Sequence, residues 1–270
     1  MNLPRILDLI ESVKDTKALF IGETIIDEYR FVSALGKPAK ESVLAVRLHE
    51  SETYKGGVSA AQTHADSFCH AACITNDGEI RKVRYVEENY TRKLFEVQSL
   101  NDVQSTFFTF NEALLDYDII AVFDYGHGML RSETIEQLCA CNKFLAVTTQ
   151  TNAANMGFNL IIKYRRADYI VFDEPEARWA AHDRDSSIEN VMRKLANNRC
   201  DKMVVTQGKH GASGLHDGQF LHVDTFNKEV VDTMGAGDAF FAVTAPMAKF
   251  GCMEDLLHIG NAAGALKTHI

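Results

Sequence analysis

Short apolar runs recur along this chain, each closed by glycine or a carboxylate. "KALFIGE" (17–23), "DIIAVFDYG" (118–126), "KFLAVTTQ" (143–150), "DYIVFDE" (168–174) and "KMVVTQG" (202–208) read as buried strands. Between them lie segments with helical spacing. "SETIEQLCACN" (132–142) and "SSIENVMRKLANN" (186–198) each open on a serine able to cap and carry glutamate in the first turn. Strands alternating with helices predict βαβ units, a largely parallel sheet and helices on both faces. Active sites of such sheets form beyond the carboxyl ends of the strands. This chain places "FIGET", "FDYGHG", "FDEPE" and "VTQGKHG" at those ends.

Two regions depart from this pattern. Residues 29–55 and 80–98 alternate polar and apolar positions with no helical period, which predicts antiparallel strands forming a small flap, or lid, on the main sheet. No repeat, low-complexity tract or linker divides the chain, so residues 1–270 are read as one domain with this appended lid.

Composition narrows the function. The chain is 46% hydrophobic and 24% charged, with a formal charge of −9 and no basic run. Nucleic acid is not an expected partner, because phosphate neutralisation needs clustered Lys and Arg. No apolar run approaches the roughly 18 residues of a spanning helix, so no membrane partner is expected and the predicted location is cytoplasmic. The six cysteines contain no C-x-x-C pair and read as reduced thiols.

The chemistry concentrates in "VVDTMGAGDAFFAVTAP" (230–246), where an apolar run meets Gly235, Ala236 and Gly237, then Asp238, then a second apolar run. A strand, a glycine turn and a helix expose backbone N–H groups at the positive end of the helix dipole, which makes an anion site. Two readings of Asp238 stand side by side. It is a structural cap, or it is a base that takes a proton from a hydroxyl attacking a phosphorus held on those amides. No G-x-x-x-x-G-K-[ST] is present, and Phe240 replaces the third glycine of a dinucleotide fingerprint, so neither of those phosphate motifs applies.

"DTMGAGDAF" resembles the C-terminal signature of the ribokinase-like (PfkB) carbohydrate kinases. Other pieces follow in the family's order: "FIGETIIDEY", "YKGGVSAAQTHA", "FDYGHGML", "VVTQGKHGASGL" and "GNAAGAL". The first and third are closest to the heptose-phosphate kinase branch. The resemblance implies a three-layer α/β/α fold with a β-sheet lid, and an enzyme using MgATP to phosphorylate a sugar or sugar phosphate. By the same resemblance Asp238 is the base and Gly235, Ala236 and Gly237 supply the anion hole. Asp27, Gly56 and Gly57 line the sugar site. Thr206, Gly208, Thr233 and Asn261 flank the nucleotide, and Asp173 with Glu176 lies near the magnesium. Apart from the resemblance, Asp124 and His127 sit at a predicted strand end and read either as substrate contacts or as part of a turn stabilised by Asp and Gly. A homodimer through the lid is among the expected assemblies.

The sequence also departs from that pattern. Ala60 and Ala61 stand near the place of a sugar-binding asparagine, Asp173 replaces the asparagine of N-x-x-E, and His127 stands where the branch carries lysine. The stretch after the double glycine is short by about one βαβ unit, on the order of 30 residues, and the C-terminal end reads as truncated. These departures support a rival reading, a catalytically silent nucleotide- or sugar-binding domain belonging to a larger bifunctional protein. Elsewhere, His210, His216 and His222 read as hairpin positions, and His64, Cys69, His70 and Cys73 as scattered helix positions rather than metal ligands. Lys163, Arg165 and Arg166 read as a solvated face. Among Arg81, Lys82, Arg84, Arg92 and Lys93 of the lid, strand alternation aims some toward the site, where they would meet a sugar phosphate.

Overall fold

The computed structural model describes residues 1–89, 92–100, 108–196, 200–226 and 234–268. In chain order the elements are α1 (Leu3–Ser12), β1 (Lys17–Gly22), β2 (Thr24–Gly36), β3 (Ala45–Gly57), α2 (Val58–Ala65), β4 (His70–Ile74), β5 (Ile80–Glu87) and β6 (Arg92–Leu100). There follow β7 (Ile119–Asp124), α3 (Ser132–Ala140), β8 (Phe144–Thr149), β9 (Ala167–Asp173), α4 (Glu174–Ala181) and α5 (Ile188–Ala196). The chain continues through β10 (Cys200–Thr206), β11 (Ala212–His216), β12 (Gln219–Val223), α6 (Ala236–Met247) and α7 (Met253–Lys267).

The main sheet runs β12-β11-β10-β9-β8-β7-β1-β4. Strands β10 through β4 are parallel, and β11 and β12 add an antiparallel hairpin at one edge. All five predicted apolar strands lie in its parallel part, displaced by no more than two residues at either end. All six residues of β7 are buried, which a strand achieves only when helices cover both faces of its sheet. One helix group is α6 with α2 and α7, and α1 packs on α7; the other is α4 with α5. The predicted three-layer architecture is therefore observed.

Aromatic packing sets the position of α6. Phe241 meets the Phe123 ring edge-on at 4.8 Å and the Tyr169 ring at 6.2 Å, while Tyr169 donates to Thr244 Oγ1 at 3.0 Å. Every residue of α6 from Ala239 to Met247 is buried, so the helix is held along its length. On its far side the Phe240 ring fills the place where a Cβ on Gly260 of α7 would sit. The N-terminus of α6 is thereby fixed relative to the central strands.

A second sheet, β3-β2-β5-β6, forms the lid. The β2–β3 and β5–β6 pairs are antiparallel as predicted, but β2 and β5 run parallel. The chain leaves β2, passes through β3, α2 and β4, and returns beside β2 in the same direction. Alternation in sequence reports which residues share a face, not the direction of the neighbouring strand. Among the helices, Ser187 Oγ accepts from the Asn190 amide at the start of α5. In α3, however, Ser132 is the first helical residue and Arg131 is the cap, without a side-chain bond.

Candidate functional site

Gly235 precedes α6 in the left-handed region (φ 74°), a conformation that favours glycine, and among the described residues no side chain caps the helix. Asp238 lies three residues further on. Its carboxylate makes no hydrogen bond to the backbone of its own helix among the described residues, and its Oδ1 accepts from the Tyr125 hydroxyl at 3.0 Å. The cap reading is thus not what the geometry displays. Burial pushes the Asp238 carboxyl up to about 6, and Asp27 adds to the rise, while the Tyr125 bond and the Lys82 charge oppose it.

On one side of this turn opens a cavity of about 1320 Å³. Its lining brings together Thr206, Gly208, Asn261, Asp173, Glu176 and the Gly235–Asp238 segment. Thr206 ends β10 directly beside Asp173 at the end of β9. Asn261 lines the cavity wall, and its Nδ2 donates to the carbonyls of Val223 at 3.0 Å and Asp224 at 3.3 Å. Thr233 falls outside the described residues.

Asp173 and Glu176 form a capping box at the start of α4. Asp173 Oδ1 accepts from the Glu176 amide at 2.8 Å, and Glu176 Oε2 accepts from the Asp173 amide at 3.1 Å. Burial raises both carboxyls above their ordinary range, and the Asp173 charge raises Glu176 further. Beside them, Thr151 donates its amide to Glu176 at 2.7 Å while its buried hydroxyl has no partner among the described residues. Two crowded hard-oxygen donors and an unmatched hydroxyl fit a divalent cation such as Mg²⁺ with part of its water shell.

The lid covers the other side. In the β2–β5 register Asp27 lies beside Lys82 and Tyr29 beside Arg84, so all four share one face. Arg84 is buried, pairs with Asp27 and with Glu96 at 2.8 Å, and lies over the Tyr29 ring. The Tyr29 hydroxyl reaches Met234 Sδ at 3.2 Å, which brings the lid onto the residue preceding the glycine turn. Gly56 backs this arrangement, since a Cβ there would collide with Asp27 Oδ2. Arg81 points to the opposite face and pairs with Glu28 and Glu79. Lys82 and Arg84 thus share the face of the lid that carries Asp27 and Tyr29, and Arg81 lies on the other. Lys82 is 8% exposed, has no hydrogen bond or ion pair among the described residues, and is lowered by burial.

The loop after β7 joins the two sides. Asp124, read as a substrate contact or a turn-stabilising residue, turns its carboxylate inward. Its carboxylate is 2% exposed and is taken up by Lys163 at 2.5 Å, the Tyr164 hydroxyl at 2.6 Å and the Gly126 amide at 3.1 Å. Lys163 is therefore an internal ion-pair partner rather than part of a solvated face. His127 lies near Lys82 with Nε2 buried and without a partner among the described residues, and burial together with Lys82 lowers its pKa to about 4.

Sequence reasoning missed two residues here. Glu23, fully buried, accepts the amides of Tyr125 at 3.2 Å, His127 at 3.1 Å and Met129 at 3.3 Å. The second is Tyr125 itself. An acid closing an otherwise apolar strand was the only available signal for Glu23. Glu23→Gln places an NH₂ group against one of these N–H donors. It is expected to cost about 1–3 kcal/mol in urea unfolding, the penalty for unsatisfied buried donors, and an unchanged midpoint would refute the cradle.

Similarities to known proteins agree with this geometry. Residues 74–269 match the family model described as pfkB family carbohydrate kinase. The bifunctional protein HldE of Geotalea uraniireducens is 22% identical over 90% of this chain and 57% of its own length. That of Bradyrhizobium diazoefficiens is 27% identical over 96% of this chain and 60% of its own length. The chain thus spans less than two thirds of these relatives. In fold it is similar to a ribokinase from Thermotoga maritima (TM-score 0.72, 17% identity, 94% of this chain and 93% of that one). It is also similar to Arabidopsis thaliana ribokinase complexed with ribose and ATP (TM-score 0.71, 13% identity, 95% and 93%). With a glycine turn, an acid in the first helical turn and a lid over both, the chain belongs to the pfkB family of carbohydrate kinases.

Proposed function

We propose that this chain transfers the γ-phosphoryl group of MgATP to a hydroxyl of a sugar phosphate, with a heptose-phosphate-like acceptor favoured and Asp238 as general base. The observation that carries this reading is the placement of Asp238, on a helix N-terminus that no described side chain caps, between a large cavity and the lid. In this reading the nucleotide occupies the cavity, flanked by Thr206, Gly208 and Asn261. The amides of Gly235, Ala236 and Gly237 take the charge that spreads over the phosphoryl oxygens in the transition state. Asp173 and Glu176 would hold magnesium, which when bound neutralises charge between the phosphates.

Lys82 and His127 support an acceptor that carries its own anionic group. Among the described residues the buried Lys82 ammonium and the His127 Nε2 have no partner, an arrangement that is costly and that an anion would satisfy. Asp27 and Gly56 would then address the sugar hydroxyls. The reading includes a homodimer through the lid, where Leu48, Tyr54, Phe95 and Val97 are exposed.

The test is ADP release with MgATP across hexose and heptose phosphates and their unphosphorylated counterparts. Turnover confined to phosphorylated sugars is the expected outcome. A rise in melting temperature with MgATP, without turnover on any sugar, would favour a silent binding domain instead.

A further inference from the structure

We propose that Tyr125 is the positioning residue of the base: its hydroxyl donates to Oδ1 of Asp238 and fixes the carboxylate, leaving Oδ2 to receive the acceptor's proton. This rests on the reading of Asp238 as the base. The contact spans 113 positions of sequence, from the loop after β7 to the first turn of α6. Tyr125 is 2% exposed, and a buried phenol needs a partner, which only Asp238 supplies among the described residues.

The loop that carries Tyr125 is held from both sides, which a packing residue alone would not require. Glu23 takes the Tyr125 amide, while the Nδ2 groups of Asn152 and Asn155 each donate to the Tyr125 carbonyl at 2.9 Å. Asn159 Nδ2 holds the preceding carbonyl, that of Asp124, at 2.7 Å. Both backbone polar groups of Tyr125 are therefore fixed by side chains from other parts of the chain. A phenol on such a platform has little freedom, and it transfers that restriction to the carboxylate it binds.

Other charged groups surround Asp238 without a hydrogen bond to it among the described residues. Lys82 of β5 favours its ionised form, Asp27 of β2 opposes it, and Glu176 of α4 interacts with it as a like charge. Lys267 of α7 reaches Gly235, and His64 of α2 faces Lys267. A donor hydrogen bond stabilises the carboxylate, so its removal raises the pKa.

The experiment is NMR titration of the intact protein carrying ¹³Cγ-labelled aspartate, with the Asp238 signal identified by its loss in Asp238→Asn. In Tyr125→Phe the Asp238 midpoint is expected to rise by about one pH unit. Replacing the tyrosines with 3-fluorotyrosine strengthens the donor and is expected to lower the midpoint, and this arm decides should Tyr125→Phe fail to fold. Purely steric packing would produce no such opposed pair of shifts. Coincident midpoints in wild type and in each folded substituted protein overturn the proposal. The base assignment is judged separately: turnover retained by Asp238→Asn sinks that reading alone and leaves the titration to decide the contact.

Discussion

Asp238→Asn is expected to lower kcat by roughly 10²–10⁴-fold, the range associated with losing a general base, while MgATP affinity stays unchanged or tightens. Asparagine has the same shape, and its carbonyl can still accept from Tyr125. What it lacks is basicity, so the acceptor hydroxyl keeps its proton as the phosphoryl group arrives. Affinity for the nucleotide is expected to be spared because, in the proposed reading, the phosphates would meet the helix amides, and removing a negative charge beside them relieves repulsion. The same base predicts the pH dependence. As the proposed base, Asp238 would work only when ionised; its carboxyl is raised to about 6, so kcat/KM is expected to be lost as pH falls through that value. Single-turnover ADP formation across pH, together with calorimetric titration of MgATP, checks both. Near wild-type turnover in the asparagine variant would remove Asp238 from the chemistry.

Gly57→Ala is expected to destabilise the fold by about 3 kcal/mol or more, the range for a strained backbone combined with a buried clash. Gly57 has φ 63° and ψ −142°, a region essentially closed to L side chains. A Cβ there would collide with the Glu23 carbonyl oxygen, which accepts from the Val58 amide at 3.0 Å and so cannot retreat without losing that bond. Gly36 provides the control. Its φ is 91°, but nothing lies within 4 Å of an added Cβ, so alanine there meets only backbone strain of about 1–2 kcal/mol. Urea unfolding of the two variants compares them directly. Equal losses would show that strain alone governs both sites.

The central strands were legible because burial on both faces leaves little room for polar residues. "IIAVFD" and "YIVFD" therefore read as strands without any knowledge of their neighbours. The direction of β5 was not legible, since the same alternation fits either orientation. Alternation did separate Lys82 and Arg84 from Arg81 once the strand was placed. The glycine turn and Asp238 stood out because their chemistry is contiguous in sequence. Glu23 and Tyr125 did not, because each acts on groups about a hundred residues away. Asp124 looked like a ligand for the opposite reason: a strand-end aspartate reads the same whether it turns outward or, as here, inward to Lys163 and Tyr164.

β1 passes into β2 through Glu23 alone. β1, second from the β4 edge of the main sheet, and the lid strand β2 are thus one continuous length of backbone from Lys17 to Gly36, clamped where the two meet. The clamp is the residue whose carboxylate holds three amides of the loop beneath Tyr125. A swing of the lid about that point bears on the same carboxylate that steadies this loop. Displacing the lid and loosening the loop under Tyr125 would, mechanically, be movements of one joint.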